Sequence, residues 1–399
     1  MKKNMFDTKR LKRNQWKLYL FEVFIWFHLI SGVLIPFFLN WGKLQFVEIM
    51  YLQSYFTMMI MVFEIPCGAV SDYISRKFSL LLGGISNIVA VLIYISYANI
   101  VIFFIGETFW ALSAAFISGT DESLLFDTLK KLNQEHLISK KSAKLQTAML
   151  VGIGISAPIG SLIGATISLP AVVLFMVFPF ALATIISATI VEPNHYERKE
   201  EEKQTYIKLI KSGFLALKAN KTLRILALEF ISVDALVFFI LWTYQLYLEQ
   251  IGVALTFYGV ISAAMTVTQM IILNLIPKVE KKYPNKKLFI QLYTLIPATA
   301  FILMAFISYI PLSVALILIV IGFGFSRKIL FVNGINFQIE SVNRATILST
   351  INMAGSLLRA VLYPLIGYLV MWNLNYTFII LGIMILILVA VSRIKNEYI

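Results

Sequence analysis

Long apolar segments alternate with short charged ones along almost the whole chain. A helix needs about 20 mostly apolar residues to cross the ~30 Å hydrocarbon core of a bilayer. Windows of this kind predict twelve membrane-spanning helices, at residues 16–40, 49–70, 79–98, 100–122, 146–167, 171–191, 225–248, 254–276, 288–309, 312–333, 346–370 and 375–392. Two-residue alternation is weak, which argues against a β-barrel. We therefore expect an all-α membrane protein.

The longest polar segment, residues 192–224, separates six predicted spans from six others. We therefore expect an N-terminal six-helix bundle over residues 1–191 and a C-terminal one over residues 225–399. Within the segment, apolar residues recur at a spacing of three to four, which predicts an amphipathic helix on the inner leaflet. These residues are Ile207, Ile210, Phe214 and Leu217. A plain linker is the alternative.

Composition and charge support the same architecture. Hydrophobic residues make up 59% of the chain and charged ones only 14%, against about 25% charged in soluble proteins. With the N-terminus in the cytoplasm, 30 of the 34 Lys and Arg residues lie in cytoplasmic segments and only Lys43 lies outside. The net charge of +13 then reflects topology and attraction to anionic lipid, not nucleic acid. With one cysteine and three scattered histidines, we expect neither a metal site nor a cofactor.

The second predicted span ends in FEIPCGAVSDYISRK. Gly68, Asp72, Arg76 and Lys77 in this segment resemble the loop signature of the major facilitator superfamily, with Ser75 where the family has glycine. Gly68 and Asp72 share a helix face, so a neighbouring helix can approach closely and the carboxylate can cap a helix N-terminus. The resemblance implies a latch that closes the cytoplasmic side. A positive-inside loop with a chance aspartate is the alternative.

The fourth predicted span ends in SGTDESLLFDTLKK, which is similar to a pattern in poorly characterised bacterial members of the superfamily. Its acids are candidate partners for Arg76 or Lys77. We place Asp121 and Glu122 at a cytoplasmic helix end, where snorkelling makes charge inexpensive. The complete predicted cytoplasmic gate is Glu64, Gly68, Asp72, Arg76, Lys77, Asp121, Glu122 and Asp127.

The fifth predicted span, VGIGISAPIGSLIGA, resembles a degenerate form of the Gly-Pro-rich motif of the superfamily's exporters. Gly154, Pro158, Gly160 and Gly164 are retained, and Ala157 replaces the glycine before the proline. Small residues allow close helix crossing, and the proline bends the helix. The resemblance favours export, whereas packing without directional meaning is the alternative. The fourth span has no mid-membrane arginine such as many proton-coupled drug exporters use.

Ionisable residues occur deep within several predicted spans, where each costs ~2.5–3.5 kcal/mol to insert. The candidates for substrate binding or proton coupling are Glu22, His28, Glu107, Glu229, Asp234 and Arg359. Predicted spans 3, 6, 9 and 12 have no charged residue or histidine, and the family resemblance implies that these four helices face lipid. We therefore expect the charges to face a cavity. A structural pairing of Arg359 with Asp234 or Glu22, and a merely packed His28, are the alternatives.

These patterns together predict a secondary active transporter in a bacterial plasma membrane, a monomer with both termini in the cytoplasm. We expect alternating access, with Glu22 or Asp234 taking up a proton, and efflux of a small drug-like or amphipathic compound. Proton-coupled uptake of a small nutrient is the alternative. The motifs G-x-x-x-x-G-K-[ST], H-E-x-x-H and G-x-S-x-G are absent, so we do not expect an enzyme.

Overall fold

The computed structural model describes residues 2–193, 206–283, 285–339 and 344–398. Within these ranges every regular element is helical, which confirms the expected all-α fold. The helices of the first half are α1 (Lys2–Ile25), α2 (Leu34–Pro36), α3 (Phe46–Ala69), α4 (Arg76–Ser96), α5 (Ile100–Ile117), α6 (Thr120–Lys131), α7 (Ile138–Thr166), α8 (Leu169–Phe175) and α9 (Val177–Thr189).

The second half begins with α10 and ends with α18. Its helices are α10 (Tyr206–Ala219), α11 (Lys221–Phe238), α12 (Ile240–Gln250), α13 (Tyr258–Glu280), α14 (Lys286–Met304), α15 (Ile310–Ser326), α16 (Lys328–Phe337), α17 (Arg344–Trp372) and α18 (Leu374–Ala390). In the described part of the chain, 10 helices are long and apolar enough to cross a bilayer. The apolar α18 is shorter, at 17 residues. Together these helices lie over the predicted spans from 49–70 to 375–392.

Packing divides the chain into two compact units. The first unit consists of Met1–Gln45, Tyr55–Glu200 and Leu255–Ala263, and the second consists of Phe46–Ser54, Glu201–Ala254 and Ala264–Ile399. The start of α3 thus belongs to the second unit, and the start of α13 belongs to the first. Residues 194–205 of the predicted linker lie outside the described residues, so the predicted bundle boundary stays a prediction.

The first predicted span, 16–40, is not one continuous helix. α1 ends at Ile25, and a tight turn follows in which the His28 amide donates to the Trp26 carbonyl at 2.8 Å. A short 3₁₀ helix (Leu29–Gly32), α2 and a π turn (Phe37–Trp41) complete the segment. The sequence stays apolar through the turn, so hydropathy alone does not reveal this break. Broken helices at membrane depth are tolerated where the freed backbone is buried in protein.

α7 packs directly against the broken first segment. A Cβ atom at Gly160 would overlap the carbonyl oxygen of Leu29, and one at Gly152 would overlap that of Val23. A Cβ atom at Gly164 would lie 3.3 Å from the Cγ1 atom of Val33. These small residues let the helix backbones approach closely. Part of the predicted motif therefore packs, and Gly152, which is not one of the motif residues, packs in the same way.

Two predicted glycine contacts are absent from the described residues. No described atom lies within 4 Å of a Cβ position at Gly68 or at Gly154. The expected close approach of a helix to Gly68 is therefore not seen, and Gly154 is not part of the packing surface of α7. The reason is that Gly154 and Gly160 face different directions around the helix, because six residues are not a whole number of 3.6-residue turns.

α10 packs on the second unit through one face. A Cβ atom at Gly213 would overlap the Thr350 hydroxyl of α17, and Leu217 packs against the apolar core formed by α11, α14, α16 and α17. Phe214 remains 43% exposed. The predicted helix therefore exists in this part of the linker. The side chains of Ile207 and Ile210 lie outside the described residues, so its position on the inner leaflet stays a prediction.

Candidate functional site

A cavity of about 460 Å³ lies within the first unit. Its wall combines acids from two helices with aromatic rings: Glu22 of α1 and Asp121 and Glu122 of α6, beside Trp26 and Trp110. Apolar side chains such as Phe56, Ile60 and Met149 and polar ones such as Asn87 and Gln146 complete the lining. The volume falls within the range of about 300–1,000 Å³ typical of small-molecule sites.

Glu22 is the most distinctive group of this cavity. Glu22 is only 3% exposed, and its Oε1 atom has no hydrogen-bond partner among the described residues. Asp121 and Glu122 are both close enough to Glu22 to interact electrostatically. A buried carboxylate oxygen without a donor is costly. Glu22 therefore lines the cavity while one of its buried carboxylate oxygens lacks a donor.

Asp121 reaches Glu22 because the fourth predicted span is broken. α5 ends at Ile117, and the chain turns through Gly119, whose φ of +68° is in the left-handed region that favours glycine. α6 then begins at Thr120 with Asp121 and Glu122 in its first turn, where the helix dipole favours negative charge. Asp121 and Glu122 both line the cavity, Asp121 half-buried and Glu122 exposed. Their position at the cytoplasmic end of the span stays a prediction.

His28 lies in the turn that follows α1 and forms part of an aromatic cluster. Its ring stacks on Trp26 with centroids 5.7 Å apart, and it lies 5.4 Å from the rings of Trp110 and Phe180. Nε2 is 3.1 Å from the Ile25 carbonyl oxygen. His28 also lines the cavity, so the packed role and the cavity-facing role coexist.

Glu107 lies elsewhere in the first unit. It is 3% exposed, and its Oε1 accepts a hydrogen bond of 2.6 Å from the Tyr94 hydroxyl. Tyr94 in turn packs against Phe37, Phe38 and Phe103. Glu107 therefore makes a contact between α4 and α5 and is not among the residues that line the Glu22 cavity.

In the second unit, α11 and α17 bring together Asp234 and Arg359. The Arg359 Nη1 and Asp234 Oδ2 atoms are 2.9 Å apart, and each side chain is 22% exposed. The guanidinium also lies 4.9 Å from the centre of the Phe238 ring and donates to the Ser356 hydroxyl at 3.0 Å. The predicted pairing of these two deep charges is present.

Glu229 is engaged by the C-terminal segment. Its carboxylate accepts hydrogen bonds from the Ser392 hydroxyl at 2.8 and 2.9 Å and from the Arg393 amide at 2.8 Å. Its backbone carbonyl accepts from Arg327 at 3.2 Å, whose guanidinium lies 4.4 Å from the Phe331 ring centre. These contacts hold the chain after α18 against α11, so the structure places Glu229 in an anchoring contact.

Part of the predicted gate, Arg76, Lys77 and Asp127, lies at the N-terminus of α4. Arg76 forms an ion pair with Asp127, and its Nη1 also donates to the Ser123 carbonyl at 2.8 Å. Asp127 is thus the partner of Arg76 among the three candidate acids. The N-terminus of α4 is capped by the Ser75 hydroxyl, which accepts from the Phe78 amide at 3.0 Å. Capping is therefore not the role of Asp72 at this helix.

Glu192 completes this cap and was missed by the sequence analysis. It accepts from the Ser75 hydroxyl at 2.6 Å and from the amides of Arg76 and Lys77 at 2.9 and 3.0 Å. Glu192 is the first residue of the predicted linker, where a charged side chain is expected to be solvated, so the sequence gives no sign of its capping contacts. Glu64 and Asp72 are half-buried and have interaction partners of their own.

Apolar helices long enough to span a bilayer, with ionisable groups beside a cavity, define a multi-pass membrane transporter. The model of the major facilitator superfamily matches residues 18–361. The chain therefore belongs to the major facilitator superfamily, as the loop signature at Gly68 to Lys77 implied. No curated protein sequence is detectably similar to it.

Solved structures with the same fold include transporters of several kinds. The nucleoside transporter NupG is 14% identical, with a TM-score of 0.75 over 94% of this chain and 97% of its own. A bacterial homologue of the human lysosomal transporter Spinster is 14% identical, with a TM-score of 0.73 over 98% and 97%. A variant of the peptide transporter POT is 11% identical, with a TM-score of 0.74 over 95% and 94%. Identities this low establish a common fold and nothing about substrate.

Proposed function

We propose that this transporter is a proton-coupled exporter of small amphipathic cations in a bacterial plasma membrane, with both termini in the cytoplasm. The observation that carries the proposal is the buried Glu22 carboxylate, whose Oε1 lacks a donor and which lines a cavity beside Asp121. The substrate and the proton are the partners we propose, and the chain acts as a monomer.

The lining of the cavity favours a cation with an apolar body. Glu22, Asp121 and Glu122 supply negative charge, while Trp26 and Trp110 supply aromatic surface. A cation over an aromatic ring gains about 0.5–2 kcal/mol, and more where water is excluded. Ionised carboxylates at such close range repel one another unless a cation or a proton lies between them. Proton and substrate would therefore compete for the same acids.

Competition between the proton and the cation couples the flux of one to the flux of the other. When the cavity opens to the more acidic side, a proton displaces the cation; when it opens to the cytoplasm, the cation displaces the proton. Alternating access requires only that each ligand bind one conformation better than the other. The Asp234–Arg359 pair would contribute a second charge-dependent contact, since its partial exposure allows a proton or substrate to break it.

The motif on α7 supports export to a limited degree. Gly160 and Gly164 pack as the exporter motif implies, whereas no described atom contacts Gly154 at its Cβ position. Uptake of a nutrient by proton symport remains the alternative. The two directions differ in the sign of the pH gradient that drives accumulation, so one experiment separates them.

The test uses the purified full chain in proteoliposomes with an imposed pH gradient and a fluorescent lipophilic cation. Antiport predicts accumulation in vesicles that are acidic inside, and symport predicts it in vesicles that are acidic outside. Glu22→Gln should reduce the initial rate at least tenfold, because it removes a charged interaction worth about 1.5–3 kcal/mol.

Glu135→Gln is the matched control, because Glu135 is an exposed acid of the same unit. It should transport at the rate of the unmodified chain. Full transport by a folded Glu22→Gln variant would exclude Glu22 from the site. A panel of neutral and anionic compounds in the same vesicles tests the cation preference, and faster transport of those compounds would refute it.

A further inference from the structure

A second cavity in the first unit carries a different chemistry. It has a volume of about 570 Å³ and lies where α1, the start of α4 and the end of α9 meet. Four basic residues line it, and Glu192 is the one acid among its lining residues. The basic residues are Arg10, Arg13, Lys17 and Lys77. None of these residues lines the cavity proposed to bind the transported cation.

The frame of the cavity is held by specific hydrogen bonds. Asn14 is fully buried, and its amide nitrogen donates to the Val191 carbonyl at 2.7 Å. Its amide oxygen accepts from the Val191 N–H at 3.1 Å. The Lys17 amine donates to the Thr189 carbonyl. These contacts fix the chain after α9 against α1, so the basic groups surround a defined space.

Among the lining residues that the structure describes, four are basic and one is acidic. Arg10, Arg13 and Lys17 occur at spacings of three and four, which places them on one face of α1. Arg10, Arg13 and Lys77 all act electrostatically on Lys17. The Glu192 carboxylate already accepts three hydrogen bonds from the α4 N-terminus. Like charges gathered at this range repel, and a bound anion would offset that repulsion.

Neighbouring residues indicate the depth at which the cavity opens. Trp16 precedes Lys17 and is 70% exposed, and Leu20 lies about one turn further along α1 at 47% exposure. Exposed tryptophan is typical of the membrane–water interface, and basic pockets between transmembrane helices bind lipid headgroups. The apolar surface beyond Lys17 is suited to acyl chains.

We propose that this cavity binds the phosphate of an anionic phospholipid of the leaflet predicted to face the cytoplasm. The phosphate would lie among Arg10, Arg13, Lys17 and Lys77, with its acyl chains along the exposed face of α1 near Leu20. The shared chemistry is a phosphate ester, and a soluble phosphate ester is the source that the experiment must distinguish.

The experiment measures thermal unfolding of the delipidated full chain in neutral detergent. Phosphatidylglycerol should raise the midpoint, whereas phosphatidylcholine and soluble glycerol phosphate at equal concentration should not. The double variant Arg10→Gln/Arg13→Gln should bind phosphatidylglycerol about 25-fold more weakly, which is about fivefold for each lost surface charge. Arg10→Lys/Arg13→Lys should retain most of the affinity, because both charges remain.

Lys131→Gln/Lys140→Gln is the matched control, since it removes two exposed charges from the same unit. An equal loss of affinity in this control would overturn the proposal in favour of diffuse surface attraction. If glycerol phosphate stabilised the chain as much as phosphatidylglycerol does, the bound phosphate ester would not have to come from a lipid, and the proposal would be overturned. If the arginine variant fails to fold, native mass spectrometry of the unmodified chain in an equimolar mixture of phosphatidylglycerol and phosphatidylcholine measures which lipid stays bound. Lack of preference for phosphatidylglycerol there would also overturn the proposal.

Discussion

A pair of glycine substitutions in α7 tests the packing of the broken first segment. Gly160→Ala would place a Cβ atom on the carbonyl oxygen of Leu29. The two atoms would be far closer than 3.0 Å, and Cβ atoms in real proteins essentially never approach another heavy atom more closely than that. That neighbour is backbone, so it cannot rotate away as a side chain would. To restore contact, α7 and the Leu29 segment would have to separate by more than about 1 Å in a close-packed interior.

The expected cost follows from two opposing contributions. Overpacking of a core typically costs about 1–3 kcal/mol, occasionally more, while Gly→Ala in a helix contributes about 1 kcal/mol of stabilisation. We expect Gly160→Ala to lower the free energy of unfolding by about 2 kcal/mol, because rigid backbone places its overlap at the upper end of that range. Gly154→Ala should be neutral or stabilising by up to about 1 kcal/mol, since no described atom lies within 4 Å of its Cβ position.

The assay is denaturant unfolding in detergent, followed by intrinsic fluorescence, on the two variants and the unmodified chain. The comparison is internal, because both substitutions add one methyl group to the same helix of the same motif. Equal shifts for Gly160→Ala and Gly154→Ala would refute the assignment of Gly160 to a helix crossing. Transport by Gly154→Ala should remain at the unmodified rate.

Two ion pairs yield the remaining predictions. Arg359→Ala and Asp234→Asn should each abolish transport in proteoliposomes while folded protein stays in the membrane; full transport would remove the pair from the site. Asp234→Asn/Arg359→Gln should unfold at a higher temperature than Arg359→Ala, because the single variant leaves a largely buried carboxylate without its cation. Reversing the Arg76–Asp127 pair should recover stability lost in either single reversal, with a coupling of about 1 kcal/mol for these partly exposed side chains. A coupling near zero in that double-mutant cycle would show that the pair is only incidental.

Hydropathy located most of the helices because it depends on a local property of the chain. The predicted span 79–98 corresponds to α4, Arg76–Ser96, and the span 346–370 corresponds to α17, Arg344–Trp372. Lipid offers no partner to a free backbone, so an apolar stretch of this length becomes helical wherever it is inserted. The same reasoning failed at Ile25, where the helix ends although the sequence stays apolar.

In the candidate site, too, some features could be predicted from the local sequence and others could not. Glu22, Asp234 and Arg359 were recognisable from the sequence because ionisable residues deep in apolar segments are costly and therefore rare. The proximity of Asp121 to Glu22 was not recognisable, since it depends on the left-handed turn at Gly119. The engagement of Glu229 by Ser392 and Arg393 was equally hidden.

The sequence by itself thus predicted the order of the spans, the family and several of the charges that lie within the spans. These follow from the free energy of transfer into lipid and from short motifs, both of which are read one segment at a time. Only the tertiary structure decided where α1 breaks, which glycines of α7 pack and which acids share a cavity. Those outcomes depend on contacts between residues far apart in the chain, and no local pattern encodes them.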